Sequence, residues 1–212
     1  METPPLTFDF SKKYYLPARP YGFALFRLYF RLNVSGLDHV PDTGPVLLVP
    51  NHTSFLDPPL LSSILPRVIY FLMLHTHYYH PMFHWLFSRL PCIPMKRAGA
   101  SMTAMKYCLQ ALHHDQVLCI FPEGGISRHH KARGARHGAA LLAARTQAPL
   151  VPVGIHGASE ALPLHRRVPR PKPIQINIGH PIHVDPAAAT DKTRLQEIIE
   201  HTMTQVHSLV NQ

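Results

Sequence analysis

The stretch at residues 45–59, PVLLVPNHTSFLDPP, decides the fold. Its first six residues form a continuous apolar run, which is typical of a strand that is covered on both faces. Asp57 stands directly before two prolines, as a helix N-cap stands before a proline at the first helical position. The sequence therefore predicts strand, turn and helix, with His52 on the turn and Asp57 as the N-cap at the helix entrance.

The same alternation continues along the chain. Further apolar runs predict strands at residues 117–121, 150–153 and 174–178. Helical patterns cover residues 58–65, about 101–113 and about 136–147, and a last helix begins near Thr190 or Asp191. Strands that alternate with helices predict an α/β fold: a single domain with a mostly parallel central sheet flanked by helices. The Pro- and Arg-rich segment at residues 163–173 is predicted to be a surface loop.

The N-terminal part has a different character. Residues 1–20 contain four prolines and predict an extended lead-in, and YGFALFRLYFRL follows at residues 21–32. In a helix, Phe23, Phe26 and Phe30 would share one side, with Arg27 and Arg31 on another. Such a helix could pack on the core, or lie in a membrane interface with its aromatic side down. The positive charge of the chain favours the second interpretation, so we expect an amphipathic membrane-associating segment at residues 1–36.

Composition narrows the class of protein. A chain of 212 residues with 46% hydrophobic and 16% charged residues has enough apolar side chains for one folded domain and too many for a disordered chain. Its formal net charge of +9 suits nucleic acid, acidic lipid headgroups or phosphorylated substrates. Three cysteines without paired spacing favour a reducing compartment. We find neither a secretory signal nor a run of about 20 apolar residues that would cross a bilayer.

Two motifs contain residues suited to catalysis. His52 and Asp57 are separated by a turn that can fold the carboxylate back against the imidazole, which would fix the tautomer and free the other ring nitrogen to act as a base. The second motif, FPEGGISR at residues 121–128, follows the next predicted strand. It contributes Glu123, a glycine pair and Arg128, a possible phosphate ligand. Ligands of open α/β sheets bind beyond the carboxyl ends of the strands, where both motifs are expected to lie.

Taken in order, these motifs resemble the lysophospholipid acyltransferase family, the group that contains the 1-acylglycerol-3-phosphate acyltransferases. The matching positions of its NHxSxxD-like and FPEG-led blocks are Asn51, His52, Ser54 and Asp57, then Phe121, Pro122, Glu123 and Gly124, with a serine at Ser127. The glycine-led helix at residues 138–143, the proline-valine strand at 148–154 and the closing GHPI at 179–182 are similar to later blocks of the family.

The resemblance implies an acyltransferase domain at residues 37–212. It would move a fatty acyl chain from acyl-CoA or acyl carrier protein to the hydroxyl of a lysophospholipid, with 1-acylglycerol 3-phosphate giving phosphatidic acid as the favoured case. His52 would be the base and Asp57 its orienting partner, while Glu123, Gly124 and Ser127 would help to hold the acceptor. Arg97 would face its phosphate, with Lys96 and Arg128 as weaker candidates. We expect no metal and no other cofactor.

The resemblance also implies a place in the cell and a set of partners. We expect a peripheral membrane protein at the cytoplasmic face of the inner membrane, with membrane lipids and the acyl donor as partners and no nucleic acid. Two departures leave the acceptor open. Pro91 and Cys92 replace a usual glycine before Lys96, and Ile126 stands where many phosphate-acceptor members have arginine. A lyso-ornithine lipid or another lysolipid therefore remains an alternative acceptor.

Other functions fit the sequence less well. A non-catalytic basic module that binds nucleic acid or membrane phosphates would explain the charge, and would leave both motifs unexplained. A serine hydrolase would need a G-x-S-x-G elbow, which the chain lacks, and Ser54 is better explained as a turn residue. The seventeen histidines include no H-E-x-x-H pattern. The aromatic segment at residues 69–87 could line an acyl tunnel, although we favour a place in the core.

Overall fold

The computed structural model describes residues 15–82, 84–95, 102–126 and 137–212. The strands of this part of the chain are β1 (Asn33–Ser35), β2 (Val46–Pro50), β3 (Ile69–Leu74), β4 (Cys92–Met95), β5 (Val117–Cys119), β6 (Leu150–His156) and β7 (Gln175–Ile178). The α-helices are α1 (Leu16–Tyr29), α2 (Asp57–Ile64), α3 (His75–Tyr78), α4 (His84–Phe87), α5 (Met102–His113), α6 (Gly138–Thr146), α7 (Ala158–Ala161) and α8 (Lys192–Val210). Two 3₁₀ turns lie at Leu37–His39 and Pro186–Thr190.

The strands form one sheet in the order β1-β7-β6-β2-β5-β3-β4. Among the described strands, β6 and β7 pair antiparallel and the other neighbours pair parallel. The strands from β2 to β6 therefore all point the same way, and the loops that follow them leave the sheet at one edge. The predicted α/β fold with a mostly parallel sheet is confirmed.

Helices cover both faces of the sheet because successive side chains of a strand point to opposite sides. On β2, Leu47 and Val49 pack against α5, α6 and α8, whereas Val46 and Leu48 pack in a second cluster with α2 and α7. All five residues of β2 are buried. This burial explains why the strand reads as an unbroken apolar run, as expected for the interior of a parallel sheet.

The sequence located some elements and missed others. The strands predicted at residues 45–50, 117–121, 150–153 and 174–178 are present with small changes at their ends, and so are the helices predicted at 58–65, 101–113, 136–147 and near the C-terminus. Strands β1, β3 and β4 were not predicted. The extended lead-in is wrong for residues 16–20, which begin α1. A proline in the first helical turn is tolerated because its missing N–H would have no helical partner there.

The orientation of α1 also differs from the prediction. Phe23 and Phe26 pack against the core cluster that contains the buried Phe30, so these aromatic side chains face the protein and not a membrane. The outward face of α1 has its own apolar residues, Tyr21 and Leu28, which are 79% and 82% exposed. Within the described residues, no helix is both long enough and apolar enough to cross a membrane.

The aromatic segment at residues 69–87 is divided between core and surface. Ile69, Tyr70 and Phe71 in β3 are buried, as expected for core residues. Met82 and Trp85 are exposed, so the expectation of a place in the core is wrong for this part of the segment.

Candidate active site

Two loops meet because their strands are neighbours. β2 pairs parallel with β5, with Leu48 opposite Cys119. The turn that follows β2 and the loop that follows β5 therefore leave the same edge of the sheet side by side. The backbone N–H of His52 donates a hydrogen bond to Glu123 Oε1 at 3.2 Å, which joins the two loops directly.

Asn51 fixes the start of the turn. Its Nδ2 donates to the carbonyl oxygen of Ile155 at 2.8 Å, and its Oδ1 accepts from the N–H of Ile155 at 2.7 Å. The side chain thus bonds to β6 as a further backbone unit of β2 would. Since Asn51 is buried, both bonds are shielded from water, and the backbone just before His52 is held in place.

The side chains of His52 and Asp57 are in direct contact. His52 Nδ1 lies 2.9 Å from Asp57 Oδ2, and the carboxylate is fully buried while the His52 side chain is 15% exposed. The same carboxylate oxygen accepts hydrogen bonds from the backbone N–H groups of Thr53 at 2.8 Å and Ser54 at 2.9 Å. Because Oδ2 acts only as an acceptor, Nδ1 must carry the proton, and Nε2 is left with a free lone pair.

The N-cap prediction for Asp57 is wrong in detail. Asp57 is the first residue of α2, and its carboxylate turns back to the N–H groups of the preceding turn instead of forward to the helix. The prolines at residues 58 and 59 need no cap because they have no N–H groups. The carboxylate is therefore available to the turn that contains His52.

The imidazole of His52 is packed as well as hydrogen-bonded. It stacks on the ring of Phe121, with centroids 4.0 Å apart and planes inclined by 24°. Of the residues that the structure describes, none makes a hydrogen bond to Nε2. A ring that is fixed by Asp57 on one edge and Phe121 on one face can present Nε2 without rotating, which is the arrangement required of a general base.

Glu123 is a buried acid beside the imidazole. One oxygen accepts the N–H of His52, and within the described part of the chain the other oxygen, Oε2, has no hydrogen-bond partner. Burial raises the pKa of Glu123 above its ordinary value of 4.5, while the hydrogen bond from the His52 backbone acts in the opposite direction. Gly124 follows with φ of 68°, a left-handed conformation that glycine adopts without strain and that closes the turn.

Ser54 has a structural place in the turn. Its Oγ donates to the carbonyl oxygen of Leu162 at 3.0 Å and accepts from the N–H of Leu56 at 3.3 Å, and the residue is buried. A hydroxyl that is committed in this way is not directed at a substrate, which agrees with its interpretation as a turn residue.

The structure thus brings together His52, Asp57, Glu123 and Gly124 of the residues predicted for the site. The remaining candidates, Lys96, Arg97, Ser127 and Arg128, lie outside the described residues. Two supporting contacts were not predicted: the bonds from Asn51 to Ile155 and the stacking of Phe121 on His52. Both residues stood inside the quoted motifs, but their partners depend on which strands are neighbours.

The arrangement can perform one kind of chemistry well. A histidine with one nitrogen held by a buried carboxylate and the other free can remove a proton from a hydroxyl as that oxygen attacks a carbonyl. The general acid–base contribution is typically about 100- to 10,000-fold in rate. Ser54 is not placed to act as a nucleophile in this chemistry, because its hydroxyl is bonded to Leu162 and Leu56.

Comparison with known proteins agrees with this chemistry. A family model described as Acyltransferase matches residues 31–156. A chloroplastic 1-acyl-sn-glycerol-3-phosphate acyltransferase of Arabidopsis thaliana is 28% identical over 138 residues, covering 64% of this chain and 38% of that protein. The 1-acyl-sn-glycerol-3-phosphate acyltransferase alpha of Mus musculus is 26% identical over 178 residues, covering 82% of this chain and 62% of that protein. An uncharacterized protein of Mycobacterium tuberculosis is 30% identical over 162 residues, covering 69% of this chain and 43% of that protein.

The fold is also that of a solved structure. The 1-acyl-sn-glycerophosphate acyltransferase PlsC from Thermotoga maritima superposes with a TM-score of 0.74 at 22% identity, covering 96% of this chain and 84% of that one. The chain spans about two fifths of the length of the chloroplastic relative and of the mycobacterial one. Because the family match extends over more than half of the 212 residues and contains both the His52–Asp57 turn and Glu123, this chain belongs to the acyltransferase family.

Proposed function

We propose that the protein transfers a fatty acyl chain from a thioester to the free hydroxyl of a lysophospholipid, with 1-acylglycerol 3-phosphate as the acceptor and phosphatidic acid as the product. The observation that carries the proposal is the 2.9 Å contact between His52 Nδ1 and the fully buried Asp57 Oδ2. Membership of the acyltransferase family supports the reaction class, and relatives named as 1-acyl-sn-glycerol-3-phosphate acyltransferases support the acceptor.

The reaction requires one base and one set of donors. His52 Nε2 removes the proton from the acceptor hydroxyl while that oxygen forms a bond to the thioester carbonyl carbon. Asp57 stabilises the resulting imidazolium through Nδ1–H. The tetrahedral intermediate then breaks its carbon–sulfur bond, and the departing thiolate takes the proton from Nε2, which regenerates the neutral ring. Backbone N–H groups would stabilise the oxyanion.

Glu123 and the glycine turn would position the acceptor. Oε1 already accepts the N–H of His52, so the carboxyl group is fixed relative to the base. Oε2 is buried without a partner among the described residues, and a buried acceptor in that state is stabilised by any hydroxyl that reaches it. We therefore assign Glu123 to a hydroxyl of the glycerol backbone, with Gly124 and Ser127 helping to bind the acceptor.

The phosphate of the acceptor would be held by cations that follow β4 and β5. Arg97 is the main candidate because a planar guanidinium can bind two phosphate oxygens at once, and Lys96 and Arg128 would assist it. Ile126 favours a second candidate acceptor, a lyso-ornithine lipid or another lysolipid, because an apolar side chain replaces the arginine of many phosphate-acceptor members. The acyl donor would be acyl-CoA or acyl carrier protein, and no metal or further cofactor is needed.

We further propose that the protein is peripheral to the membrane, at the cytoplasmic face of the inner membrane, with residues 1–36 as a membrane-associating segment and residues 37–212 as the acyltransferase domain. The membrane-facing residues would be Tyr21, Leu25 and Leu28, which are exposed on the outward side of α1. They replace Phe23, Phe26 and Phe30, which the sequence analysis had assigned to the membrane. Membrane lipids and the acyl donor are the proposed partners, and nucleic acid is not among them.

An acceptor panel tests the proposal. The purified chain is given one labelled acyl thioester and several lysolipids, with and without a free phosphate, and the products are separated. We expect phosphatidic acid as the main product, and we expect Arg97→Gln to raise the KM for phosphate-bearing acceptors more than for phosphate-free ones. Arg145→Gln, which removes a cation on α6, is the matched control. Equal use of phosphate-free acceptors would overturn the role of Arg97, and a folded protein that acylates none of them would overturn the enzymatic function.

A further inference from the structure

A basic loop joins α7 to β7. This loop, PLHRRVPRPKP at residues 163–173, contains four cationic side chains, all of them exposed: Arg166, Arg167, Arg170 and Lys172. The salt bridges among the described residues join His52 to Asp57 and Arg194 to Asp185, and neither includes a residue of the basic loop. These four charges are therefore available to a partner.

The basic loop is held by contacts just before it and within it, and these contacts connect it to two parts of the molecule. Leu162, the residue before it, accepts a hydrogen bond from Ser54 in the turn of His52. The carbonyl oxygen of Pro169 accepts from the Tyr29 hydroxyl of α1 at 2.9 Å, and the N–H of Arg170 bonds back to Ala161 at 2.8 Å. The loop thus lies between the candidate active site and the end of α1.

α1 and the basic loop both lie in stretches of the chain that have cationic but no acidic side chains. Residues 15–37, which include α1, and residues 161–184, which include the basic loop, contain no aspartate or glutamate. Together they carry seven of the 21 lysines and arginines of the chain. A surface formed by these segments has a positive potential with no internal counter-charge, which attracts an anionic partner.

Exposed apolar side chains accompany these charges. Val168 lies in the middle of the basic loop between arginines and is 72% exposed. Next to the loop, the outward face of α1 presents Tyr21, Leu25 and Leu28, which are spaced as one side of a helix. Apolar side chains surrounded by cations are typical of a surface that enters the headgroup region of a bilayer while its cations bind lipid phosphates.

We propose that the basic loop extends the membrane-facing side of α1, and that its cations dock the protein on an anionic lipid membrane. A membrane fits these observations better than an acidic carrier protein because the surface is apolar as well as basic. The proposal rests on the proposed function, which already places α1 at a membrane, and it adds the basic loop as the part that binds anionic headgroups. The hydrogen bond from Ser54 to Leu162 links the base of this loop to the turn that contains His52.

The test is vesicle binding by the full chain, without thioester or acceptor. Binding is measured to vesicles of phosphatidylcholine alone and of phosphatidylcholine with phosphatidylglycerol. The variant Arg166→Gln/Arg167→Gln/Arg170→Gln removes three charges from the basic loop. The control Lys106→Gln/Arg145→Gln/Lys192→Gln removes three exposed charges from α5, α6 and α8, which cover the opposite face of the sheet. Far-ultraviolet circular dichroism and thermal melting check that both variants fold.

We expect the wild type to bind the anionic vesicles more tightly than the neutral ones. Each cation near an anionic surface contributes about fivefold in affinity, so the loop variant should bind about 100-fold more weakly, and the control should bind much more strongly than the loop variant. High salt should reduce the difference between wild type and loop variant. Wild-type binding by the loop variant, or equal loss in both variants, would overturn the proposal.

Two further results separate this inference from its alternatives. If the loop variant binds vesicles like the wild type but loses turnover only with acyl carrier protein as the donor, the surface serves a carrier protein and the membrane proposal is wrong. Acyl transfer to a short-chain, soluble lysolipid without vesicles should be unchanged in the loop variant. If no protein transfers acyl chains but vesicle binding follows the prediction, the proposed function fails while the docking surface stands.

Discussion

Replacing Asp57 by asparagine separates the role of its charge from the role of its shape. Asp57 Oδ2 accepts three N–H groups, from His52 Nδ1 and the backbones of Thr53 and Ser54. An asparagine oxygen can keep all three bonds, so the turn can retain its geometry while the negative charge that stabilises the imidazolium is lost.

The magnitudes make asparagine the informative variant. Alanine would leave the N–H groups of Thr53 and Ser54 without an acceptor, at a cost of about 1–3 kcal/mol each, out of a total stability that is typically about 5–15 kcal/mol. Asparagine leaves one amide nitrogen where Oδ1 now lies buried without a partner among the described residues, at a cost of about 1–3 kcal/mol. The asparagine variant should therefore fold.

The assay is the release of free thiol from an acyl thioester in the presence of lysophospholipid, with thermal melting as the check on folding. Because Asp57 acts through His52, its loss can remove at most what His52 contributes. We expect kcat of Asp57→Asn to fall by about 100- to 10,000-fold, and His52→Ala/Asp57→Asn to be no slower than His52→Ala alone. A folded Asp57→Asn variant within about threefold of the wild type, or a double variant whose losses multiply, would refute this reasoning.

Three further predictions concern the groups around the site. Asn51→Ala leaves the N–H and carbonyl groups of Ile155 without the partners that they now have, so the free energy of unfolding in urea should fall by about 1–3 kcal/mol for each of the two groups. An unchanged value would contradict the bonds between Asn51 and β6. The pKa of Glu123 is raised in the folded state, so above pH 4.5 the native protein binds more protons than the unfolded chain. The stability of the wild type relative to Glu123→Gln should therefore fall as the pH rises from 4.5 through the raised pKa. A difference between the two that does not change with pH would contradict the raised pKa. Burial raises the pKa of the Cys92 and Cys108 thiols to about 12 and that of Cys119 well above its ordinary value. At neutral pH a thiol reagent should therefore label the folded protein slowly, and it should label all three cysteines rapidly in denaturant. Rapid labelling of the folded protein would contradict the burial of these thiols.

The part of the fold that was predicted is the part with strong local signals. β2 is a buried apolar run with a turn and two prolines after it, and its neighbours β5 and β6 are apolar runs of the same kind. These strands form the middle of the sheet, where burial on both faces leaves a clear pattern in the sequence.

The missed strands lack such signals. β1 has only three residues, β4 contains Pro94, and β3 continues into the aromatic residues of α3 without a glycine or proline between them. β1 and β4 lie at the two ends of the sheet order, where a proline is tolerated because one side of the strand needs no hydrogen-bond partner. Their assignment to the sheet depends on tertiary pairing, which the local sequence does not encode.

In the candidate active site, too, the local contacts could be predicted from the sequence and the contacts between strands could not. The pairing of His52 with Asp57 follows from the spacing of one turn, so it could be predicted. The direction in which the Asp57 carboxylate turns, and the contact of Glu123 with the backbone of His52, depend on how β2 and β5 are placed. The inward face of α1 was misassigned because both of its sides are apolar, and only packing decides which one is buried.

The central claim is that His52 is the base of an acyl transfer, and the most direct measurement compares product formation by the wild type and by His52→Ala. Both proteins, with matching thermal melting, are given a labelled acyl thioester and 1-acylglycerol 3-phosphate, and the labelled phosphatidic acid is quantified. We expect the wild type to form it and His52→Ala to form it at least about 100-fold more slowly. Formation at the same rate by both folded proteins would contradict the assignment of His52.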